Sequence, residues 1–239
     1  MYRQIYSGII EPVWQLASPK CCCVCGDVVG GGDGKHSSTV GTLCRKCLIT
    51  MPLVSEFSGI AERLCGYLSK DEIALDGGAF GLINLNDGEE FIAAVYALKY
   101  RKYRRSGREL GRLLAEHVLH SGSMPECDLL VPVPLHPARK RSRGFNQAEE
   151  IAFGMSEVLK IEVSSDAVRL VNTCTQTQLS GAGRLRNVQN VFIAGSIFAG
   201  KSVMIVDDVF TTGATTNSLA VSLKQSGATH CYAACVAIA

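Results

Sequence analysis

The sequence predicts an α/β fold with a parallel sheet, preceded by a small cysteine-rich module. Four short apolar runs are typical of buried strands, at residues 79–85, 129–133, 203–206 and 230–238. Helical patterns separate these runs, as expected for a parallel sheet. Apolar residues make up 47% of the 239 residues, which is ample material for a core. We expect two domains, an N-terminal module over residues 1–60 and an α/β domain over residues 61–239.

Net charge and cysteine usage limit the class of protein. The formal charge is only +2, so any surface that binds nucleic acid has to be a local basic patch. The eleven cysteines are not spaced like a secreted disulfide framework. The first residues lack the features of a signal peptide, and no apolar run is long enough to span a membrane. We therefore expect a cytoplasmic, reduced protein without membrane insertion.

The N-terminal module carries two cysteine pairs after a predicted amphipathic helix over residues 2–16. Their spacing is C-x2-C-x18-C-x2-C, within the range of a four-cysteine zinc site, and the four candidate ligands are Cys22, Cys25, Cys44 and Cys47. Cys21 and Cys23 could compete with Cys22, but only Cys22 has the two-residue spacing to Cys25. Four thiolates leave no open position for water, so the predicted Zn²⁺ is structural.

The stretch VMIVDDVFTTGAT at residues 203–215 predicts a phosphate site. An apolar strand leads into two carboxylates, Asp207 and Asp208, and then through a Thr-Thr-Gly turn into a helix. The backbone N–H groups of such a turn and the helix dipole attract a phosphate. The carboxylates would repel phosphate, but they suit sugar hydroxyls or a divalent cation. The predicted ligand is a sugar phosphate.

Two further segments are predicted to serve the same site. The strand at residues 129–133 opens into a cation-rich loop that contains Arg139 and Arg143, before a helix from about Asn146 to Lys160. Loops at the carboxyl ends of parallel strands lie along one edge of a sheet, so this loop and the acid pair are expected to face a common cleft. The glycine-containing residues 175–187 fit a loop that closes over the cleft, and Arg184 within it could stabilise negative charge.

A basic run occupies residues 99–112. It contains seven Lys or Arg residues and two interleaved tyrosines, offset only by Glu109. A solvated helix face is the commonest explanation of such a run. Aromatic residues among cations also suit single-stranded nucleic acid. The candidate nucleic-acid-binding residues are Lys99, Arg101, Lys102, Arg104 and Arg105.

Taken in order, these motifs resemble one known family. The acid pair with TTGAT resembles the phosphoribosyl pyrophosphate (PRPP) signature of type I phosphoribosyltransferases. The wider arrangement resembles the ComF (ComFC) competence family, in which a zinc finger precedes a phosphoribosyltransferase-like domain. The shared landmarks are the cysteine pairs, ALKYR at 97–101, VPVPLHPARKRSRGFNQAEEIA at 131–152, QTQLSGAGRLRN at 176–187 and the acid stretch.

The resemblance implies a role for each motif. Asp207 and Asp208 would bind the ribose hydroxyls of PRPP, directly or through Mg²⁺, and act with Arg184 as catalytic residues. The 5′-phosphate would lie on Thr211, Thr212, Gly213, Ala214 and Thr215. The pyrophosphate would lie on a loop that contains Leu135, His136 and Arg139, assisted by Arg143. Residues 175–187 would form a flexible hood that contributes Gln176 and Arg184.

The implied function is a competence protein that binds PRPP and handles incoming single-stranded DNA in the cytoplasm during natural transformation, alone or with DNA-uptake proteins. One alternative is an active phosphoribosyltransferase of nucleotide metabolism, with an unidentified nitrogen acceptor. Another is a PRPP-sensing regulator. The sequence departs from the family pattern at Val171 and Gln178, and the hood lacks a lysine that many active transferases use. These departures argue against enzymatic turnover but not against phosphate binding.

Overall fold

The computed structural model describes residues 21–27, 43–55, 72–77, 79–99, 104–171 and 191–239. The chain divides into two compact units, Met1–Met51 and Pro52–Ala239. The predicted N-terminal helix, the hood and the predicted domain boundary at residue 60 all lie outside the described residues and stay predictions.

In the first unit, the described residues form the surroundings of the two cysteine pairs. A short helix, α1 (Arg45–Ile49), begins at Cys44. The earlier pair lies in a turn that Gly26 closes with a φ of 78°, a left-handed conformation that favours glycine. Both pairs are therefore held by tight local backbone structure.

The second unit is built on a five-stranded, all-parallel sheet, with the strand order β1-β7-β6-β2-β3. The strands are β1 (Ala79–Asn84), β2 (Leu129–Pro132), β3 (Glu162–Val163), β6 (Ser202–Phe210) and β7 (His230–Ile238). A separate antiparallel ribbon joins β4 (Ala167–Arg169) to β5 (Phe192–Ala194). Residues 203–206 in β6 are fully buried, as expected for a strand covered on both faces. The predicted α/β parallel-sheet class is confirmed.

Helices connect the strands. They are α2 (Ile92–Ala97), α3 (Arg104–His120), α4 (Pro137–Arg143), α5 (Gln147–Leu159) and α6 (Ala214–Gln225). Short 3₁₀ turns precede α2 and β6, at Glu89–Phe91 and Ser196–Phe198. The helix predicted from about Asn146 to Lys160 matches α5, whose N-cap is Asn146. No helix in the described parts of the chain is long and apolar enough to cross a membrane.

Two elements differ from the sequence-based prediction. The cation-rich segment after β2 was expected to be a loop, but most of it is the helix α4. Pro137 at the first turn, the His136 ring as cap and Gly144 in a left-handed C-cap favour that helix. Strand β6 also continues past the acid pair to Phe210, because its last residues pair with β7. The acids thus lie within a strand rather than at its end.

Helices α3 and α5 cross at close range. A Cβ atom added at Gly111 would overlap the backbone of Ile151, and one added at Gly154 would overlap the backbone of Arg108. Each helix therefore offers a glycine where its partner's main chain approaches. Arg104 and Arg108 of α3 also pair with Glu150 of α5 across this contact.

The sheet order places a topological switch point between β2 and β6. These two strands are neighbours, but the chain leaves β2 towards β3 and leaves β6 towards β7, on opposite sides. Connections that diverge in this way open a crevice at the carboxyl ends of the strands, where ligands bind in open α/β sheets. The acid pair and the α4 segment border this crevice.

Candidate functional site

The acid pair lies on β6 beside the end of β2. The Val133 N–H donates to the Val206 carbonyl at 2.9 Å, which joins the two strands just before the carboxylates. Backbone hydrogen bonds also fix the acids. The Asp208 N–H donates to Asp207 Oδ1 at 2.8 Å, and the Val209 N–H donates to Asp208 Oδ1 at 2.9 Å. Both side chains are thereby held at the crevice.

The two carboxylates lie close together in a partly buried position, where ionisation of both is unfavourable. Burial, followed by the negative charge of Asp208, raises the pKa of Asp207 well above its ordinary value. Arg169 opposes that shift only in part. A cation or a hydroxyl donor in the crevice would relieve the repulsion, so the pair is suited to bind one of these.

The turn after the acids leads through a left-handed glycine directly into the N-terminus of α6. Gly213 adopts a φ of 70° immediately before α6, and its carbonyl accepts from Thr216 Oγ1 at 2.9 Å and from the Asn217 N–H at 2.8 Å. The Ala214 N–H donates to Thr212 Oγ1 at a long distance of 3.4 Å. The first turn of a helix leaves N–H groups without intrahelical partners, and here they lie at the crevice.

Gln147, at the start of α5, also contacts the acid pair. Its Nε2 donates to Asp208 Oδ2 at 3.1 Å, while its Oε1 is buried without a hydrogen-bond partner in the described structure. This residue is not among the predicted site residues, although it lies within the family landmark at 131–152. It comes directly after the helix cap Asn146 in the segment that follows β2.

Arg169 on β4 is a second site residue that the sequence analysis did not select. Burial, and then the positive charge of Arg139, lower the pKa of the Arg169 guanidinium, whereas Asp207 raises it. Arg139 on α4, Arg169 on β4 and Asp207 therefore lie close enough for their charges to interact. The guanidinium also lies over the Phe192 ring, 5.4 Å from its centroid.

Some of the predicted PRPP-binding residues lie in the described part of the chain and others lie outside it. Leu135, His136, Arg139 and Arg143 lie half-buried in or just before α4. The His136 Nδ1 accepts from the Ala138 N–H at 3.2 Å, so this ring caps a helix. Gln176 and Arg184 lie outside the described residues, and their assignment stays a prediction.

The four predicted metal ligands come together. The Sγ atoms of Cys22, Cys25, Cys44 and Cys47 all lie within 4.8 Å of one another. The Cys25 and Cys44 Sγ atoms are 3.6 Å apart. Four thiolates on one tetrahedral zinc, at about 2.3 Å each, require a similar spacing. The cluster includes Cys22 rather than Cys21 or Cys23, so it could bind zinc in the predicted manner.

The electrostatics of this cluster favour a thiolate at Cys22 alone, because the pKa of the Cys25 thiol is raised and burial raises that of the Cys47 thiol. Burial opposes ionisation of Cys22, but hydrogen bonds from neighbouring backbone N–H groups outweigh it and lower the pKa of its thiol to about 7. The Cys47 N–H also donates to Cys44 Sγ at 3.5 Å, as the turn of a metal knuckle requires. The donor set therefore fits a structural zinc ion.

The basic run divides into paired and unpaired cations. Arg104 Nε donates to Glu150 Oε1 at 2.6 Å, and Arg108 Nε donates to Glu150 Oε2 at 2.9 Å. The Glu150 side chain is only 4% exposed. Arg105 is exposed and forms no ion pair with another described residue. Lys99 lies over the Tyr96 ring, whereas residues 101 and 102 are outside the described range.

Comparison with curated proteins identifies bacterial relatives. DNA utilization protein YhgH of Escherichia coli (strain K12) is 36% identical over 138 residues, which are 56% of this chain and 61% of the relative. Competence protein F of Haemophilus influenzae is 36% identical over 129 residues, covering 50% of this chain and 56% of the relative. The chain is thus similar in sequence to both proteins over about half of its own length. The predicted resemblance to the ComF family is confirmed.

A third relative extends the same group. Competence protein ComFC of Streptococcus pneumoniae is 32% identical over 98 residues, 41% of this chain and 42% of the relative. The chain thus spans less than two thirds of the length of each of these ComF relatives. No protein-family model matches the chain.

Solved structures show a weaker likeness to this chain. Glutamine PRPP amidotransferase from B. subtilis, complexed with ADP and GMP, matches with a TM-score of 0.37 and 24% identity, over 53% of this chain and 25% of that chain. A structure described as the allosteric regulatory enzyme of purine biosynthesis matches with a TM-score of 0.36 and 23% identity, over 53% and 24%. At these scores the two likenesses carry no argument about function.

Proposed function

We propose that this chain is a ComF-type competence factor whose crevice between β2 and β6 binds PRPP with Mg²⁺. The observation that carries the proposal is the convergence of a half-buried acid pair and a glycine turn at a helix N-terminus on one switch point. A carboxylate pair beside a phosphate cradle suits a sugar phosphate better than either feature alone. Arginines on α4 and β4 add positive charge for a second phosphate group.

Each part of the crevice has a distinct task under this proposal. The acid pair fits Mg²⁺ because carboxylate oxygens are its preferred ligands and because Asp207 lacks a sufficient counter-charge. The ion, when bound, neutralises charge on the pyrophosphate group. The turn from Thr211 to Thr215 holds the 5′-phosphate through backbone N–H groups. Arg139 and Arg169 bind the pyrophosphate oxygens.

The biological part of the proposal concerns DNA. The relatives are named for DNA utilization and for competence, which supports a role in natural transformation for this chain. We propose that it acts in the cytoplasm on single-stranded DNA, together with DNA-uptake proteins. Within the basic run, Arg105 on α3 is exposed and forms no ion pair with another described residue, so it is suited to contact a phosphate. Such a role does not require PRPP turnover.

Titration calorimetry of PRPP, with and without Mg²⁺, tests the central claim. We expect PRPP to bind in the presence of Mg²⁺, and we expect Asp208→Asn to weaken that binding at least tenfold, because a charge-assisted contact to the ribose or to the ion is lost. A control, Asp166→Asn, changes a carboxylate that accepts a hydrogen bond from Ser164 Oγ at 2.9 Å, and this variant should bind PRPP like wild type. Unchanged affinity in Asp208→Asn would contradict the sugar-phosphate assignment.

Pyrophosphate release separates the proposed factor from an active transferase. The same samples, incubated with PRPP and a panel of nitrogen bases, should bind PRPP without accelerated release if the protein is a binding factor. Base-dependent release that disappears in Asp208→Asn would instead establish a phosphoribosyltransferase.

A further inference from the structure

We propose that Gln147 is a positioning residue for the acid pair. Its side-chain amide holds the Asp208 carboxylate in the orientation that the crevice uses to bind the ribose or its magnesium ion. The inference rests on the proposed function, since it assigns a task within that same site. It is carried by the burial and the hydrogen bonding of one side chain.

The hydrogen bonds around Asp208 show how the amide acts. The Val209 N–H holds Oδ1 at 2.9 Å, and Gln147 Nε2 holds Oδ2 at 3.1 Å. One donor lies on the same strand, and the other comes from a helix 61 positions earlier in the chain. Without the amide, the carboxylate would be fixed at one oxygen only and could rotate. The second donor therefore sets the direction of the free lone pairs.

The other end of the amide has no comparable function in the fold. Gln147 is only 5% exposed, and its Oε1 finds no hydrogen-bond partner in the described structure. A buried acceptor without a partner destabilises a protein, so an apolar side chain of the same length would suit the fold better. The reverse orientation of the amide would direct Oε1 at the carboxylate and is excluded by repulsion. The glutamine is thus explained by its single bond to Asp208.

The backbone beneath Gln147 is firmly held. Asn146 Nδ2 donates to the Val133 carbonyl at 3.0 Å, which ties the start of α5 to the end of β2. The Ala148 N–H donates to Asn146 Oδ1 at 3.1 Å. One turn later, buried Glu150 receives Arg104 and Arg108. A side chain on such a support can impose its position on a neighbour.

The variant Gln147→Met tests the proposal, because methionine keeps the length and removes both the donor and the unpaired acceptor. We expect the Kd of PRPP with Mg²⁺ to rise about tenfold, in line with the loss of one hydrogen bond to a charged group. We expect the thermal unfolding temperature to stay level or to rise. Gln225→Met, the same change at an exposed glutamine of α6, should alter neither quantity. Unchanged affinity, or parallel losses of affinity and stability, would overturn the positioning role.

A second readout does not depend on PRPP. Crystal structures of the unliganded wild type and of Gln147→Met should show Asp208 Oδ2 in a fixed position in the first and displaced or in two conformers in the second. An identical Asp208 in both would overturn the proposal. If the wild type fails to bind PRPP, the proposed function is wrong, and these two structures still decide whether Gln147 positions the carboxylate.

Discussion

Asp207 is the residue whose chemistry the fold changes most. Burial and the charge of Asp208 raise its pKa, so the folded protein favours the protonated form of this carboxyl. A raised folded-state pKa means that ionisation costs stability. The cost is absent below the ordinary pKa of an aspartate, and it grows as the pH rises through the raised value.

Asp207→Asn should therefore stabilise the unliganded protein at neutral pH. Asparagine cannot ionise, and its side-chain oxygen can still accept from the Asp208 N–H. We expect an unfolding temperature about 2–4 °C above wild type at pH 8, measured without Mg²⁺ or PRPP, which corresponds to roughly 1 kcal/mol. The gap should close as the pH falls, because wild-type Asp207 is then protonated as well. A variant less stable than wild type throughout the pH range would show that the ionised carboxylate supports the fold.

Residues of the site differed in how far the sequence could predict them. Asp207 and Asp208 follow an apolar strand and precede a glycine turn, so their chemistry is evident from neighbours in the chain. Gln147 and Arg169 belong to the site only because they contact residues that are distant in sequence. The local sequence pattern around each of them does not indicate such a contact.

At the level of elements, α3 presents two kinds of arginine. Arg104, Arg108 and Arg112 are spaced by four residues and share one helical face, where they pair with Glu150 and Glu157 of α5. Arg105 lies on another face and is exposed. Spacing alone could have suggested a helix–helix contact. The acidic partners on α5 could not be recognised without the fold.

Arg105→Ala should weaken binding of single-stranded DNA and reduce the magnitude of its salt slope by about 0.7, as expected for one lost phosphate contact. Fluorescence anisotropy with a labelled oligonucleotide, measured over a range of salt concentrations, provides both quantities. The unfolding temperature should not change, because no described residue pairs with this arginine.

Arg104→Ala is the matched comparison, on the adjacent residue of the same helix. It removes one partner of buried Glu150 and should lower the free energy of unfolding by about 1–2 kcal/mol, since Arg108 remains and Arg104 is half exposed. If the salt slope is unaltered in Arg105→Ala, Arg105 does not contact DNA and the basic run is an ordinary solvated helix face.

The prediction of elements succeeded where apolar periodicity was strong. β1, β2 and β7 lie within one residue of the predicted runs, because buried strands have to be apolar. The prediction was wrong for α4, since seven residues rich in arginine have no apolar face to reveal a helix. It also stopped β6 too early, because sheet pairing with β7 outweighs the low strand propensity of two aspartates.

For the molecule as a whole, the four-cysteine cluster predicts one zinc ion per chain. Elemental analysis of protein purified without added metal should find about one zinc per chain, and Cys44→Ser should lower that content. Cys127→Ser, which changes a cysteine outside the cluster, should retain it. Circular dichroism of both variants reports whether the fold survives. A folded, metal-free wild type would contradict the zinc assignment.

The architecture as a whole was predictable because two simple signals coincide. Alternating strand and helix patterns favour a parallel sheet, and two cysteine pairs at this spacing favour a small module that can bind a metal. The strand order was not predictable, because the sequence of an apolar strand does not indicate which other strand it pairs with. The sequence does predict a common cleft for the segments that follow β2 and β6, but the adjacency of these two strands, and hence the switch point between them, followed only from the structure.

The glycine crossing of α3 and α5 has one further effect. Because main chain meets main chain at Gly111 and Gly154, a side chain at either position would push the two helices apart. The basic helix and the helix that begins at Gln147 therefore approach this closely only while both positions stay glycine. A substitution at Gly111 or Gly154, far from the acid pair in sequence, would shift the helix that carries Gln147 and so disturb the crevice.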